Sequence, residues 1–261
     1  MIYIGIDIGS TATKVAVRGD YKTEILMPTG WNSRQTALDI KQKLLLMDID
    51  PESPSAVCAA TGYGRIAVDF ADYTITEITC HGRGGFELAK EDCAVIDVGG
   101  QDTKVIHVAN GKVSDFLMND KCSAGTGKFI EIMANRLGVT IDEIFELSAK
   151  GKVLPISSLC TVFAESEIIN YIGEGQPREN IAAGVIDSVA VKVAQLYNRK
   201  TSRKKIILTG GLSHSAHFAR TLEAKIGKPV GTMQLGRFAG ALGAALLAEE
   251  KVVAEVGRGE A

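Results

Sequence analysis

Two cysteines of this chain lie where polar stretches give way to predicted helices. Cys122 lies in MNDKCSAGTGKF (118–129), three residues before a Gly-Thr-Gly step, and Cys160 lies in SSLCTVFAESE (157–167). A helix N-terminus carries roughly half a positive charge, which favours the thiolate form of a nearby cysteine, and thiolates bind metals. The segments predict a pair of thiolates for a soft metal or an anionic cluster, although position alone also fits two ordinary buried thiols.

The number of thiolates limits what this pair can bind. A soft-metal site uses four ligands, and the cysteines at positions 58, 80 and 93 form no CxxC or CxxxC motif. Cys58 and Cys93 lie beside or within apolar runs and are expected in the core. A homodimer with two-fold symmetry supplies two thiolates from each copy at one site on its axis. A 4Fe–4S cubane and a zinc ion both satisfy that count, so the residue types leave the choice open.

A second chemical pattern occurs twice along the chain. DIGSTATK begins at Asp7 and DVGGQDTK begins at Asp97, and each follows one apolar run and precedes another. Apolar runs joined by a glycine-containing turn predict a β-hairpin with a polar tip. Converging N–H groups at such tips bind anions, and an Asp at the end of the strand suits Mg²⁺, so two facing tips predict a polyphosphate site. Either turn by itself also fits an ordinary hairpin.

The predicted tips consist of small and polar residues. Gln101 and Asp102 occupy the second tip, and Lys14 adds a positive charge to the first. The residues predicted to contact phosphate are Gly9, Ser10, Thr11, Ala12, Thr13, Lys14, Gly99 and Gly100, and Asp7 and Asp97 are predicted to face Mg²⁺.

The surrounding pattern alternates strands with helices, which is typical of the α/β class. Because the second hairpin repeats the first, we expect two halves, 1–90 and 91–261, with the two helix-mouth cysteines in the second and the closing helix able to pack back on the first. The predicted helices are 33–46 (capped by Asn32 or Ser33), 125–138 (ended by Gly138), 178–198 and 238–250, and the further strands are 56–60, 112–118 and 206–212.

Composition and charge exclude several classes of function. The chain has 261 residues, of which 46% are hydrophobic, and its net charge is −2. Such a chain builds a sizeable core, and its charge gives no reason to expect nucleic acid or an anionic membrane as a partner. No apolar run approaches the ~20 residues that span a bilayer, and MIYIGIDIGS lacks the basic region of a signal peptide. We therefore expect a soluble cytoplasmic protein.

Four motifs resemble those of a known ATPase superfamily. DIGSTATK, VIDVGGQDTK, LTGGL and FAGALGA are similar to the two phosphate motifs, the adenosine motif and the connecting motif of the actin, hexokinase and heat-shock ATPase superfamily. The resemblance implies two ribonuclease-H-like lobes with ATP in the cleft. It also implies that Gly210 and Gly211 back the adenosine and that Gln101 and Asp102 orient the attacking water. Arg237 stands where family members often have Gln, and its planar guanidinium can stack on the base.

The cysteine segments make the resemblance more specific. MNDKCSAGTGKFIE, SSLCTVFAESE, TGYGR and ITEITCHGRG resemble the activator component of 2-hydroxyacyl-CoA dehydratases, a family that includes the reductase partner of double-cubane cluster proteins. The resemblance covers nearly the whole chain. It implies a homodimer in which one 4Fe–4S cluster bridges the copies through Cys122 and Cys160 of each. It also implies that ATP hydrolysis drives one low-potential electron from a ferredoxin or flavodoxin to a partner iron–sulfur protein. The implied setting is anaerobic.

The path from nucleotide to cysteine suggests how the two sites communicate. The chain runs without a break from Asp97 through the second hairpin to Cys122. We expect the nucleotide state at Gly99–Lys104 to shift the helix that starts near Gly125, and so to change the exposure of the cluster.

Two other functions are compatible with the superfamily motifs. A small-molecule kinase, such as a sugar kinase, needs an acidic base over its substrate, a role that Asp102 can serve, although 261 residues leave little room for a substrate lobe. A non-catalytic actin-like assembly protein would bind nucleotide but no iron.

Overall fold

The computed structural model describes residues 1–156, 160–201 and 204–259. Residues 157–159 of the second cysteine segment therefore lie outside the described residues. Within the described ranges, the strands form two five-stranded sheets and alternate along the chain with helices, as the α/β prediction requires.

The first sheet has the strand order β3-β2-β1-β4-β5. Strands β1 and β2 form the predicted antiparallel hairpin, in which Asp7 pairs with Lys14, and β4 runs parallel to β1. The strands are β1 (Ile2–Ile8), β2 (Ala12–Gly19), β3 (Thr23–Pro28), β4 (Ala56–Thr61) and β5 (Tyr73–Thr74), and the accompanying helices are α1 (Ser33–Leu45) and α2 (Glu77–Ala89). The side chain of Asn32 accepts a hydrogen bond from the Arg34 N–H, so Asn32, one of the two predicted caps, begins α1.

The second sheet repeats this arrangement. Its order is β10-β9-β6-β7-β8, which matches the first sheet strand for strand when it is followed from β8 to β10. The strands are β6 (Cys93–Val98), β7 (Thr103–Ala109), β8 (Lys112–Asn119), β9 (Lys205–Gly210) and β10 (Val230–Thr232). The duplication predicted from the two Asp-to-Lys motifs therefore extends to the topology of both sheets.

Six more helices are present among the described residues. They are α3 (Gly127–Leu137), α4 (Ile141–Ser148), α5 (Thr161–Gly173), α6 (Arg178–Asn198), α7 (Ala216–Ile226) and α8 (Ala239–Gly259). Helix α6 has the predicted bounds, and Gly138 ends α3 in the left-handed conformation at φ 66°. Helix α3 starts two residues after the predicted 125, and α8 continues past the predicted end at 250. None of the described helices is long and apolar enough to span a membrane.

Helix α2 is an element that the sequence pattern does not predict, because three glycines give EITCHGRGGFELA a low helix propensity. Tertiary packing explains those glycines. A Cβ on Gly84 would lie 1.9 Å from the Ala239 carbonyl oxygen, and a Cβ on Gly243 would lie 1.8 Å from that of Cys80. The backbones of α2 and α8 therefore touch, and a larger residue at either position would force them apart.

The chain divides into two compact units. The first contains Met1–Val95, Ile106–Asp115 and the residues from Leu235 on, and the second contains Ile96–Val105 and Phe116–Gln234. In the first unit, α8 packs on β1, β2, β4 and α2. In the second unit, α6 packs on α3, α4 and α7. The predicted boundary of the sequence repeat between residues 90 and 91 stays a prediction.

Candidate functional site

The first Asp-to-Lys motif holds a buried carboxylate at the end of β1. Asp7 is 4% exposed, and its Oδ2 lies 3.6 Å from Lys14 Nζ and 4.0 Å from Nε2 of His81 on α2. Gly62 has a positive φ of 87°, and a Cβ there would lie 2.5 Å from Asp7 Oδ1. A Cβ on Gly240 would lie 2.8 Å from Oδ2. Two glycines and two nitrogen-bearing side chains thus fix the position of this carboxylate.

The tip of the first hairpin is accessible, but its last threonine supports the fold. Thr11 is exposed, and Gly9, Ser10 and Ala12 are half-buried. The Gly9 N–H donates to the Ala12 carbonyl at 3.2 Å, which closes the turn. Thr13 is fully buried, and its hydroxyl lies 2.7 Å from that of Thr29.

The second motif holds Asp97 in a similar way. Asp97 is 2% exposed; its Oδ1 accepts a 2.8 Å hydrogen bond from the Thr209 hydroxyl, and its Oδ2 lies 3.8 Å from Lys104 Nζ. Gly210 has a positive φ of 81°, and a Cβ there would lie 2.9 Å from Asp97 Oδ1. The Gly99 N–H donates to the Asp102 carbonyl at 2.9 Å and closes the second turn.

The two motifs differ by one carboxylate. Asp102 stands where the first motif has Ala12, and its Oδ1 lies 2.7 Å from Lys104 Nζ. Because Lys104 lies between two carboxylates, the second loop is the more negative, which suits a divalent cation, and the first loop is closer to neutral, which suits phosphate. Our sequence analysis did not include Lys104 among the site residues, although it corresponds to Lys14 in the repeat.

Each carboxylate also lies against a Thr-Gly step at the end of a neighbouring strand. These steps are Thr61-Gly62 at the end of β4 and Thr209-Gly210 at the end of β9. Of the predicted adenosine residues, Gly210 belongs to the second step and Gly211 follows it, and the Gly211 N–H donates to the Val98 carbonyl at 3.0 Å. The sequence analysis did not identify Thr61-Gly62 as the first copy of this step, and the repeated Thr-Gly pair was the signal for it.

The remaining predicted residues occupy accessible positions. Gln101 is exposed, Gly99, Gly100 and Asp102 are half-buried, and Arg237 is half-buried in the 3₁₀ turn Gly236–Phe238 that leads into α8. Their contacts with water, phosphate and base stay predictions.

The second loop is bonded directly to helix α3. The N–H groups of Gly127 and Lys128 donate to the carbonyls of Gly99 and Gly100 at 2.9 and 2.8 Å. A Cβ on Gly127 would lie 3.1 Å from the Gly99 oxygen, so glycine permits this close approach. N–H groups in the first turn of a helix have no acceptor within the helix, and here the carbonyl groups of the second loop accept their hydrogen bonds.

Cys122 and Cys160 lie near the starts of two helices, and the residues that follow them are hydrogen-bonded to each other. Cys160 is exposed and is itself the N-cap of α5, whereas half-buried Cys122 lies five residues before α3, slightly farther from the helix than predicted. The residues that follow them are joined, because the hydroxyls of Ser123 and Thr161 lie 2.7 Å apart. The helices are also linked by an ion pair between Arg136 of α3 and Glu165 of α5.

The donor set fits half of a four-thiolate site. All five cysteines lie in the described ranges, and none of them forms a disulfide. Cys58, Cys80 and Cys93 are completely buried, which confirms the core interpretation of Cys58 and Cys93. Burial raises the pKa of Cys80 to about 12, so this thiol stays protonated. Cys122 and Cys160 are the thiols accessible to a ligand, and the described residues contain no group of three or more His, Cys, Asp or Glu arranged for a metal.

Two curated proteins are similar to this chain along nearly its whole length. The (R)-2-hydroxyglutaryl-CoA dehydratase activating ATPase of Acidaminococcus fermentans is 42% identical over 253 residues, which cover 95% of this chain and 97% of that protein. The 2-hydroxyisocaproyl-CoA dehydratase activator of Clostridioides difficile is 35% identical over 252 residues, covering 95% of each chain.

Two solved structures of dehydratase activator proteins have the same fold. The structure of the A. fermentans dehydratase component A covers 97% of this chain and 99% of its own with a TM-score of 0.91. The C. difficile activator with bound ADPNP also has a TM-score of 0.91 and covers 100% of this chain and 98% of its own. A glucokinase from Streptomyces griseus has a TM-score of 0.59 at 15% identity, covering 96% of this chain and 100% of its own, and shows the fold alone.

These similarities confirm the predicted fold class and family resemblance. The sugar-kinase alternative has only a distant structural likeness behind it. The profile of the BadF/BadG/BcrA/BcrD ATPase family matches residues 4–248. The chain belongs to the BadF/BadG/BcrA/BcrD ATPase family.

Proposed function

We propose that this ATPase couples ATP hydrolysis to the delivery of one low-potential electron to a partner iron–sulfur protein. The observation that carries the proposal is the hydrogen bond between Ser123 and Thr161, the residues that directly follow Cys122 and Cys160. It lies in the unit whose phosphate loop is bonded to α3. The names of the relatives, which are activators of 2-hydroxyacyl-CoA dehydratases, support the same function.

The two loops divide the work of binding nucleotide. Ser10, Thr11 and Lys14 bind phosphate in the first loop, together with Gly9, Ala12 and Thr13. Gly99 and Gly100 bind phosphate in the second loop. Asp7 and Asp97 face Mg²⁺, Gln101 and Asp102 orient the attacking water, Gly210 and Gly211 back the adenosine, and Arg237 stacks on the base. The buried positions of Asp7 and Asp97 and the second carboxylate of Asp102 support this division.

The cysteine pair requires a second copy of the chain. One copy offers two accessible thiols, and a 4Fe–4S cluster takes four, so a homodimer in which Cys122 and Cys160 of each copy bind one cluster satisfies the count. A bound cluster would supply a one-electron carrier whose potential responds to exposure and nearby charge. Helix α5 begins at Cys160 and would direct its positive end toward that anionic group.

The surface of α5 supports such a dimer. Its Val162, Phe163, Ile169 and Ile172 are 46–68% exposed, and they share one short helix with Cys160. Covering this apolar surface with a second copy would stabilise the pairing of the two cysteine sites.

Hydrolysis of ATP can meet the energetic requirement. A one-electron shift of 59 mV corresponds to a tenfold change in equilibrium, so raising an electron by roughly 300 mV costs about 7 kcal/mol. The free energy released by ATP hydrolysis in two copies of the chain is large enough to cover this cost. The electron acceptor is either a 2-hydroxyacyl-CoA dehydratase or a double-cubane cluster protein, and the donor is a ferredoxin or a flavodoxin. We propose a cytoplasmic, oxygen-free setting for this exchange.

Iron analysis of anaerobically purified protein tests the proposal. We expect about four irons per dimer, from the one-cubane count, together with visible absorbance and ATPase activity. Cys122→Ser and Cys160→Ser should each lose both the iron and the absorbance, whereas Cys58→Ala, at a buried thiol, should keep them. Full iron in either serine variant, or a colourless wild-type protein that phosphorylates sugars, would contradict the proposal.

A further inference from the structure

We propose that Thr103 is the residue that couples the second phosphate loop to the cysteine segment, residues 119–126. Thr103 is the first residue of β7, follows Asp102 directly and is 1% exposed. Its hydroxyl donates a 2.7 Å hydrogen bond to the carbonyl oxygen of Gly125. The inference deepens the proposed function and rests on it for the role of the cysteines.

Hydrogen bonds within the cysteine segment connect its two ends, so that its residues should move together. Asn119 Nδ2 donates to the carbonyls of Cys122 and Ala124 at 3.0 and 3.3 Å. Thr126 donates to the Ser123 carbonyl through both its N–H, at 3.0 Å, and its hydroxyl, at 2.6 Å. These bonds connect the residues on both sides of Cys122 to one another. A displacement of Gly125 would therefore also displace Cys122.

Thr103 and the start of α3 together hold this segment against the loop. Thr103 holds Gly125 through a side-chain bond, and Gly99 and Gly100 hold Gly127 and Lys128 through backbone bonds. Gly125 has a positive φ of 91°, and a Cβ there would lie 2.8 Å from Cβ of Lys192 on α6. If the second loop moves when its nucleotide changes, it would therefore displace the chain at Gly125 and at Gly127–Lys128. Helix α6 packs against the same stretch at Gly125.

The second cysteine receives the same displacement through one further hydrogen bond. The Ser123 hydroxyl meets the Thr161 hydroxyl at 2.7 Å, directly after Cys160. The route therefore runs from Thr103 to Gly125, then to Ser123, and then to the start of α5.

Comparison of the two motifs shows that the bond to the cysteine segment is particular to the second one. Thr13 corresponds to Thr103 in the first motif and is also buried, but its hydroxyl meets that of Thr29, directly after β3. A threonine in this place therefore supports both hairpins, and only the second one is tied to the cysteine segment among the bonds described.

Hydrogen exchange in anaerobically purified protein tests this coupling. In the wild type, we expect amide exchange across 119–128 to differ between saturating ADP and a non-hydrolysable ATP analogue. Thr103→Val keeps the shape of the side chain but removes the donor. It should abolish the difference across 119–126, whereas Gly127 and Lys128, which stay bonded to Gly99 and Gly100, should still respond. ATP hydrolysis should continue at the wild-type rate. Thr103→Ser should restore the difference. Thr36→Val is the control: it removes a buried hydroxyl that donates to the Asn32 carbonyl at 3.1 Å at the start of α1, and it should retain the difference. A circular dichroism melt confirms that each variant is folded.

Two results would overturn the coupling: a wild-type difference that survives intact in Thr103→Val, or no nucleotide-dependent difference in the wild type. If Thr103→Val does not fold, Ser123→Ala is used instead, and it should uncouple exchange in the first turn of α5 while 119–128 still responds. An unchanged response of α5 in that variant would contradict the route. The exchange measurement needs no iron, so a protein that lacks iron but shows the exchange pattern refutes the proposed function and not the coupling.

Discussion

Lys104 and Asp102 form a 2.7 Å ion pair in which the lysine side chain is 4% exposed. Asp97 lies 3.8 Å from the same ammonium group, so two carboxylates share one buried cation. The corresponding Lys14 is 14% exposed and lies 3.6 Å from Asp7. The repeat has therefore produced two loops with the same backbone and different electrostatics.

Removing Lys104 should affect stability more than removing Lys14. Lys104→Met leaves the Asp97 and Asp102 carboxylates without their cation, and breaking a buried pair in this way costs about 3–5 kcal/mol. Lys14→Met should cost less stability and should mainly raise the KM for ATP, because we propose that its ammonium group binds phosphate. Urea unfolding and ATPase kinetics measure the two effects. Equal losses of stability in the two variants would argue against unequal loops.

The five cysteines should separate into two classes of reactivity. Cys160 is exposed and Cys122 is half-buried, whereas Cys58, Cys80 and Cys93 are completely buried. In folded protein freed of iron, we expect iodoacetamide to modify Cys160 and Cys122, and to modify the other three only after unfolding. Peptide mass spectrometry identifies the sites. Rapid modification of Cys80 in the folded protein would contradict the packing of α2 against α8.

Stability should fall in alkaline solution because of the buried thiols. Burial raises the pKa of Cys80 from its ordinary value of 9.0 to about 12, and it also raises that of Cys58. Above pH 9 the unfolded chain releases protons that the folded chain retains, so the stabilisation present below pH 9 is lost as the pH rises toward 12. We expect losses of up to about 1.4 kcal/mol per pH unit for each thiol.

Denaturant titrations on both sides of pH 9.0 measure this slope. Cys80→Ala removes one of the titrating thiols and should give a shallower dependence, although it lowers stability at neutral pH through lost packing. An identical slope in this variant would show that the titration of Cys80 makes no contribution.

The glycines between α2 and α8 should be intolerant of even one methyl group. Gly243→Ala would place Cβ 1.8 Å from the Cys80 oxygen, so the two helices must separate, at a cost of about 3 kcal/mol. Gly257→Ala is the matched control on the same helix, because no heavy atom lies within 4 Å of its Cβ position. It should be neutral or stabilising by up to about 1 kcal/mol. Thermal and urea unfolding of both variants provide the comparison.

Elements with strong local signals were predictable from the sequence. The two hairpins, α1 with its Asn32 cap and α6 all depend on periodicity, capping and turn residues that lie close together along the chain. Helix α2 was not predictable, because its glycines lower helix propensity and their function appears only when α8 lies against them.

The sequence by itself determined the duplicated Asp-to-Lys motifs and the two cysteines at helix starts, because spacing along the chain is enough to define them. Tertiary structure decided which side chains meet. It placed Thr209 on Asp97, Lys104 between two carboxylates and Ser123 beside Thr161. Thr209 and Asp97 are 112 positions apart along the chain, and Ser123 and Thr161 are 38 positions apart. No local pattern specifies such contacts, because they form only when the packing of the sheet and helices brings distant segments together.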